Sequence, residues 1–125
     1  MSGDKKQVYI VDDDESVCRA LKVLLMTFDF EVSTFLSAEK FFNAVPNSAQ
    51  GCLLLDIHMP EFDGWETLKL IIKSGDKRPV IIISADKNGG IKEQALKAGA
   101  VGFFQKPIND RELVDLINKT YQYGG

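Results

Sequence analysis

One histidine, His58, and two cysteines, Cys18 and Cys52, are the only imidazole and thiol side chains in this 125-residue sequence. Neither a C-x-x-C pair nor a Cys/His spacing occurs, so a zinc site and a disulfide framework drop out. Both thiols lie in apolar patterns and are expected as small buried hydrophobes. Long apolar runs are missing too. The longest reach about four residues, against the roughly 20 a bilayer demands, and the opening "MSGDKKQ" is polar, unlike a signal peptide. A cytoplasmic chain with no membrane contact is the expectation. There is no excess of positive charge: 15 Lys and Arg stand against 18 Asp and Glu, a net charge of -3. With a pI near 5.1, no basic stripe is available for direct nucleic-acid binding. What remains is an average globular composition, 45% apolar and 26% charged, which suits one domain over residues 1–125.

Five short apolar runs alternate with segments of helical period: "VYIV" at 8–11, "EVSTF" at 31–35, "CLLL" at 52–55, "VIII" at 80–83 and "VGFF" at 101–104. Val17, Leu21, Leu24, Leu25 and Phe28 recur at three- and four-residue spacing, as do Trp65, Leu68, Ile71 and Ile72. Ser37, Asp63 and Asn109 suit helix caps, with Glu66 and Glu112 three positions beyond the latter two. Gly75 and Gly99 sit where helices should stop. The runs at 8, 52 and 80 are apolar on both faces, as central parallel strands are, whereas "EVSTF" suits an edge. These signals predict a doubly wound α/β layer sandwich, (βα)5, with a parallel five-stranded sheet ordered 2-1-3-4-5.

Ligands of open parallel sheets bind beyond the carboxyl ends of the strands. There the sequence delivers Asp12 and Asp13 after the first run, Asp56 after the third, Ser84 after the fourth and Lys106 after the fifth. Two like charges about 4 Å apart repel by roughly 4 kcal/mol at an effective dielectric near 20. Helix-dipole stabilisation of about 0.3–1 kcal/mol per acid does not offset that among three carboxylates. A divalent cation does. All-oxygen ligands favour a hard ion, Mg2+, which keeps room for phosphate oxygens. Lys106 then supplies a phosphate counter-charge and Ser84 a hydroxyl donor. The set is built for phosphoryl transfer, with Asp56 as carboxylate nucleophile. Taken singly, Asp14 reads as a cap of the first helix.

The ordered motifs "VDDDE", "LLLDIHMPEFDG", "IIISAD" and "GFFQKP" resemble the receiver domains of two-component response regulators, the CheY-like superfamily, over nearly the whole chain. The resemblance implies a phosphoacceptor signalling domain, not an enzyme acting on an external substrate. Its partner would be a sensor histidine kinase or phosphotransfer protein that donates to Asp56. It further implies Mg2+ held by Asp12, Asp13, Asp56 and the backbone carbonyl of His58, with Lys106 on the phosphate and a cis bond to Pro107. Ser84 would be the switch hydroxyl and Phe103 the switch aromatic. The face from the fourth helix through the fifth strand to the fifth helix, roughly residues 88–121, would change on phosphorylation and offer a homodimer surface. Ser84 and Phe103 stand where many members have threonine and tyrosine, and Ala85 keeps the small residue needed for phosphate access. His58 and Asp86 would flank the phosphoryl group and set its lifetime.

Met59 and Pro60 read as loop-fixing residues, and Gly64 as the residue that lets the chain turn into the third helix. Gly89 and Gly90 lower helix propensity where the fourth helix begins. Two further readings compete: an aspartate-nucleophile, Mg2+-dependent hydrolase of haloacid-dehalogenase type, using Asp12 and Asp14 as its D-x-D motif, and a receiver-like interaction module that is never phosphorylated. "YIVDDDESVCRALK" also resembles receivers fused to DNA-binding helix-turn-helix outputs, so the terminal "YQYGG" suits either a natural end or the cut edge of a longer protein.

Overall fold

The computed structural model describes residues 6–46, 49–58, 64–86 and 89–123. Strands and helices alternate throughout: β1 (Gln7–Val11), α1 (Glu15–Thr27), β2 (Glu31–Phe35), α2 (Ala38–Ala44), β3 (Cys52–Asp56), α3 (Gly64–Lys73), β4 (Val80–Ser84), α4 (Gly90–Lys97), β5 (Gly102–Gln105) and α5 (Asp110–Tyr123). All strand pairs are parallel, in the order β2-β1-β3-β4-β5. Among the described residues no helix is long and apolar enough to cross a membrane.

Successive strand residues point to opposite faces, and each face finds its own helices. Tyr9, Val11, Leu53, Leu55, Val80 and Ile82 pack with α2, α3 and α4. Val8, Ile10, Cys52, Leu54, Ile81 and Ile83 pack with α1 and α5. Every residue of β3 and β4 is buried, as central strands covered on both sides require. Each fully buried Leu or Ile contributes roughly 1.5–3 kcal/mol relative to exposure. Cys18 and Cys52 are free buried thiols, and burial pushes the Cys52 thiol up to about 12.

Among the described residues three helix starts carry side-chain caps. Asp14 accepts from the Ser16 and Val17 N–H groups, Ser37 from Lys40 N–H and Asn109 from Glu112 N–H. Asp63 lies outside the described residues. Gly75 and Gly99 follow α3 and α4 at φ 81° and 110°, left-handed conformations that end a helix without a Cβ clash.

Two apolar positions depart from the helical pattern. Phe28 terminates α1 and is exposed. Asp29 then takes φ 69° and redirects the chain, so Phe30 enters the core instead. Ile72, expected inside, is exposed on α3. At the end of the sheet opposite the acidic residues, Arg78 is buried against Asp76, with Nε 3.0 Å from both carboxylate oxygens. Its guanidinium lies 5.1 Å from the Phe41 ring centroid and 5.6 Å from that of Tyr9, within cation–π range.

Candidate functional site

The carboxyl ends of β1, β3, β4 and β5 bring the polar residues together. Asp12 continues the ladder, its N–H bonded to the Phe35 carbonyl at 3.1 Å, and this fixes its side chain in the crevice. The Asp12 carboxylate is fully buried. Oδ1 accepts from Asp14 N–H at 2.9 Å and Oδ2 accepts from Lys106 Nζ at 2.8 Å. Asp13 points to solvent but still offers an oxygen to the group: one carboxylate oxygen each from Asp12, Asp13 and Asp56 lies within 4.8 Å of the others. Below, the Cys18 thiol donates to the Asp12 carbonyl at 3.3 Å.

Asp56 is the last residue of β3 and is almost wholly buried. Its Oδ1 accepts from His58 N–H at 3.0 Å, and its Oδ2 lies 3.5 Å from Lys106 Nζ. Burial, helped by the charge of Asp12 and only partly countered by the His58 N–H and Lys106, pushes the Asp56 carboxyl up to about 6. Burial works against the Lys106 charge, yet bonding to Asp12 and attraction from both acids outweigh it and raise its pKa. Lys106 is aimed by its backbone, whose N–H bonds the Ser84 carbonyl at 2.8 Å, and by the cis bond to Pro107.

Ser84 ends β4, fully buried, and its Oγ accepts from Asp86 N–H at 3.0 Å. The exposed His58 and Asp86 side chains face one another across the two loops, Nε2 to Oδ2 at 3.5 Å. Phe103 sits opposite Ile82 in the β4–β5 register. It is half-buried against the α2–α4 core and lines a cleft with Lys92 of α4 and Leu116 of α5. Met59 and Pro60 lie outside the described residues. Gly64 is needed for close approach: a Cβ there would stand 2.2 Å from Ile57 Cα and 2.8 Å from the Asp56 carbonyl oxygen.

Sequence spacing thus foresaw every strand-end group in the crevice. The resemblance placed His58 and Asp86 on either side of the phosphoryl group, but their direct contact had no signal of its own. The Cys18 bond beneath Asp12 and the contact made by Gly64 had none. Among the described residues, three carboxylates and one ammonium leave the crevice two charges negative, and oxygen donors at this spacing fit a hard divalent ion.

A family model described as the response regulator receiver domain matches residues 8–118. Response regulator protein TodT of Pseudomonas putida is 40% identical over 94% of this chain and 52% of its own length. The solved structure of response regulator StyR is similar at a TM-score of 0.86 and 36% identity, covering 95% of this chain and 60% of that one. A response regulator receiver protein from Burkholderia phymatum is similar at a TM-score of 0.81 and 35% identity, covering 92% and 94%. The chain spans about half the length of the curated relatives it matches.

Proposed function

Since the chain belongs to the response regulator receiver domain family, with an acidic cluster suited to phosphate acceptance, we propose that Asp56 is its phosphoacceptor. Lys106, Ser84 and the acid pair Asp12 and Asp13 serve as its supporting groups. The carrying observation is the convergence of three carboxylates and one ammonium at the carboxyl edge of a parallel sheet. A sensor histidine kinase or phosphotransfer protein presents a phosphohistidine. An Asp56 carboxylate oxygen attacks phosphorus, the P–N bond breaks, and the electron pair and a proton stay with the donor imidazole. Lys106, already 3.5 Å from Oδ2, neutralises charge on the transferred group. The buried Ser84 hydroxyl keeps its bond from Asp86 N–H and turns its own hydrogen toward a phosphoryl oxygen.

Asp12, Asp13, Asp56 and the His58 carbonyl would hold Mg2+, which when bound neutralises phosphoryl oxygens and relieves carboxylate repulsion. Movement of Ser84 toward phosphate would free space for Phe103 and alter the α4–β5–α5 face. That face would carry the signal to a second copy or to an output domain. The receiver corresponds to residues 1–125. A DNA-binding output outside this sequence and a cytoplasmic setting complete the reading, in which His58 and Asp86 set the lifetime of the phosphorylated state. The hydrolase alternative is disfavoured because Asp14 is committed to capping α1, so the D-x-D pair is not assembled. An interaction module would not need the buried Asp12–Lys106 pair, since burying an ion pair is weak evidence of stabilisation.

The test is incubation with acetyl phosphate and Mg2+, followed by intact mass and mapping of the modified residue. The expected result is one phosphoryl group on Asp56, absent in Asp56→Asn. No uptake, or unchanged uptake in Asp56→Asn, overturns the reading.

A further inference from the structure

Of the three clustered carboxylates, Asp12 and Asp56 are buried and Asp13 is exposed. The hydrogen bonds of the turn that carries Asp13 run to its neighbours. Asp14 N–H donates to Asp12 Oδ1 at 2.9 Å, and Asp14 Oδ1 accepts from the Ser16 and Val17 N–H groups. The direction of Asp13 is therefore set by the Asp12–Asp13 peptide plane, whose rotation swings the Asp13 Cα–Cβ bond. The carbonyl of that peptide belongs to a fully buried residue, and a buried carbonyl needs a donor. Among the described residues no backbone N–H reaches it. The Cys18 thiol does, at 3.3 Å. Cys18 is itself held fast: its N–H bonds the Asp14 carbonyl at 3.1 Å, and its side chain is buried in the core beneath β1. We propose that Cys18 is a positioning residue for the divalent cation: its S–H fixes the Asp12–Asp13 peptide and so holds the Asp13 carboxylate toward those of Asp12 and Asp56.

The inference rests on the reading of this cluster as a Mg2+ site, and it concerns affinity for the metal before any phosphoryl group arrives. Groups behind the direct ligands of a metal act by orienting them, and here the orienting group is a neutral thiol with no covalent or redox part to play. A thiol is a weak donor, and this one acts through one peptide on one ligand. Its loss should weaken Mg2+ binding by about two- to fivefold. Cys18→Val keeps an apolar side chain and removes the donor. Cys18→Ser keeps a donor and places a hydroxyl in an apolar core. The valine variant is accordingly the more stable of the two without metal and the weaker in Mg2+ affinity, an inversion that packing alone does not produce. In the Asp13→Ala background Cys18→Val loses its effect on affinity, because the carboxylate it orients is gone.

The experiment is denaturant unfolding of wild type, Cys18→Val, Cys18→Ser, Asp13→Ala and the Asp13→Ala, Cys18→Val double variant across a Mg2+ series. A ligand that binds only the folded state adds stability according to its Kd, so each protein is referred to its own metal-free value and any packing cost drops out. The expected result is a raised Kd in Cys18→Val, a wild-type Kd in Cys18→Ser, and equal Kd values for Asp13→Ala with and without Cys18→Val. A wild-type Kd in Cys18→Val, a Kd raised equally in Cys18→Ser, or a loss that persists in the Asp13→Ala background overturns the positioning role. Should Cys18→Ser fail to fold, Cys18→Val and the Asp13→Ala pair still decide. Mg2+ that stabilises no protein, wild type included, overturns the cation assignment, and the positioning role with it.

Discussion

At the scale of single residues, the crevice holds charge that the metal-free fold tolerates poorly, and pH exposes this. Asp56 is raised from 3.8 to about 6, chiefly by burial, so between those values the folded state binds more protons there than the unfolded state. Stability from this group is therefore present below about pH 4 and lost as pH rises through about 6. The size is on the order of 2 kcal/mol. Denaturant titrations without Mg2+ from pH 4 to pH 7 should show this fall in wild type and a flatter profile in Asp56→Asn; parallel profiles would refute the assignment. Asp13→Asn, at the exposed corner of the cluster, should raise metal-free stability by about 1 kcal/mol or less. It should also reduce the rise in Tm that Mg2+ produces in wild type. The position of each site group could be read in the sequence because an apolar strand ends visibly where a charge begins. The protonation balance could not, since burial and the partners 94 residues apart that form Asp12–Lys106 exist only in the fold.

Elements show a different division between what the sequence announces and what it hides. Strand identity followed from β-branched and leucine runs too short for helices, and sheet order from the contrast between doubly apolar central strands and the mixed "EVSTF" edge. Helix starts followed from Ser37 and Asn109, which cap as their chemistry predicts. Gly64 looked like a turn residue, yet the first turn of α3 lies directly on the Asp56–Ile57 backbone, a contact no local pattern records. Gly64→Ala should force α3 away from the loop that carries His58, costing about 1–3 kcal/mol as an overpacking change. Chemical denaturation would read the cost, and slowed acetyl phosphate uptake would report the displaced loop. Arg78 was equally silent in the sequence, being an ordinary charged residue before an apolar run. Buried between Asp76 and two aromatic rings, it joins the approach to β4 to β1 and α2. Its Nη1 has no hydrogen-bond partner among the described residues. Arg78→Ala leaves Asp76 as a buried unpaired charge and should cost about 3–5 kcal/mol, whereas Asp76→Asn with Arg78→Met should recover part of that loss. A double variant no more stable than Arg78→Ala would show that the rings, and not the ion pair, dominate.

For the molecule as a whole, the arrangement separates a firmly held half from a half poised to move. The helices α1, α2 and α5 start on side-chain caps, while α4 starts at two glycines, Gly89 and Gly90, and a glycine inside the helix costs roughly 0.5–1 kcal/mol relative to alanine. That helix also adjoins the elements a phosphoryl group at Asp56 would reach. Ser84 ends β4, its carbonyl bonds Lys106, and Phe103 on β5 lies beside the cleft that Lys92 of α4 helps to line. A charge added beside Ser84 therefore acts first on β4 and β5 and then on α4, with β1, α1 and β2 insulated by the fully buried β3. Amide hydrogen exchange should find the first turn of α4 exchanging faster than those of α1 and α5 in the resting protein. Loading with acetyl phosphate and Mg2+ should change protection across α4, β5 and the start of α5, and leave α1 and β2 within error of the resting values. Asp56→Asn should show no change anywhere. Changes centred on α1 and β2 would mean that the signal leaves by the opposite edge of the sheet, and slow exchange at the start of α4 would remove the local instability on which this route depends.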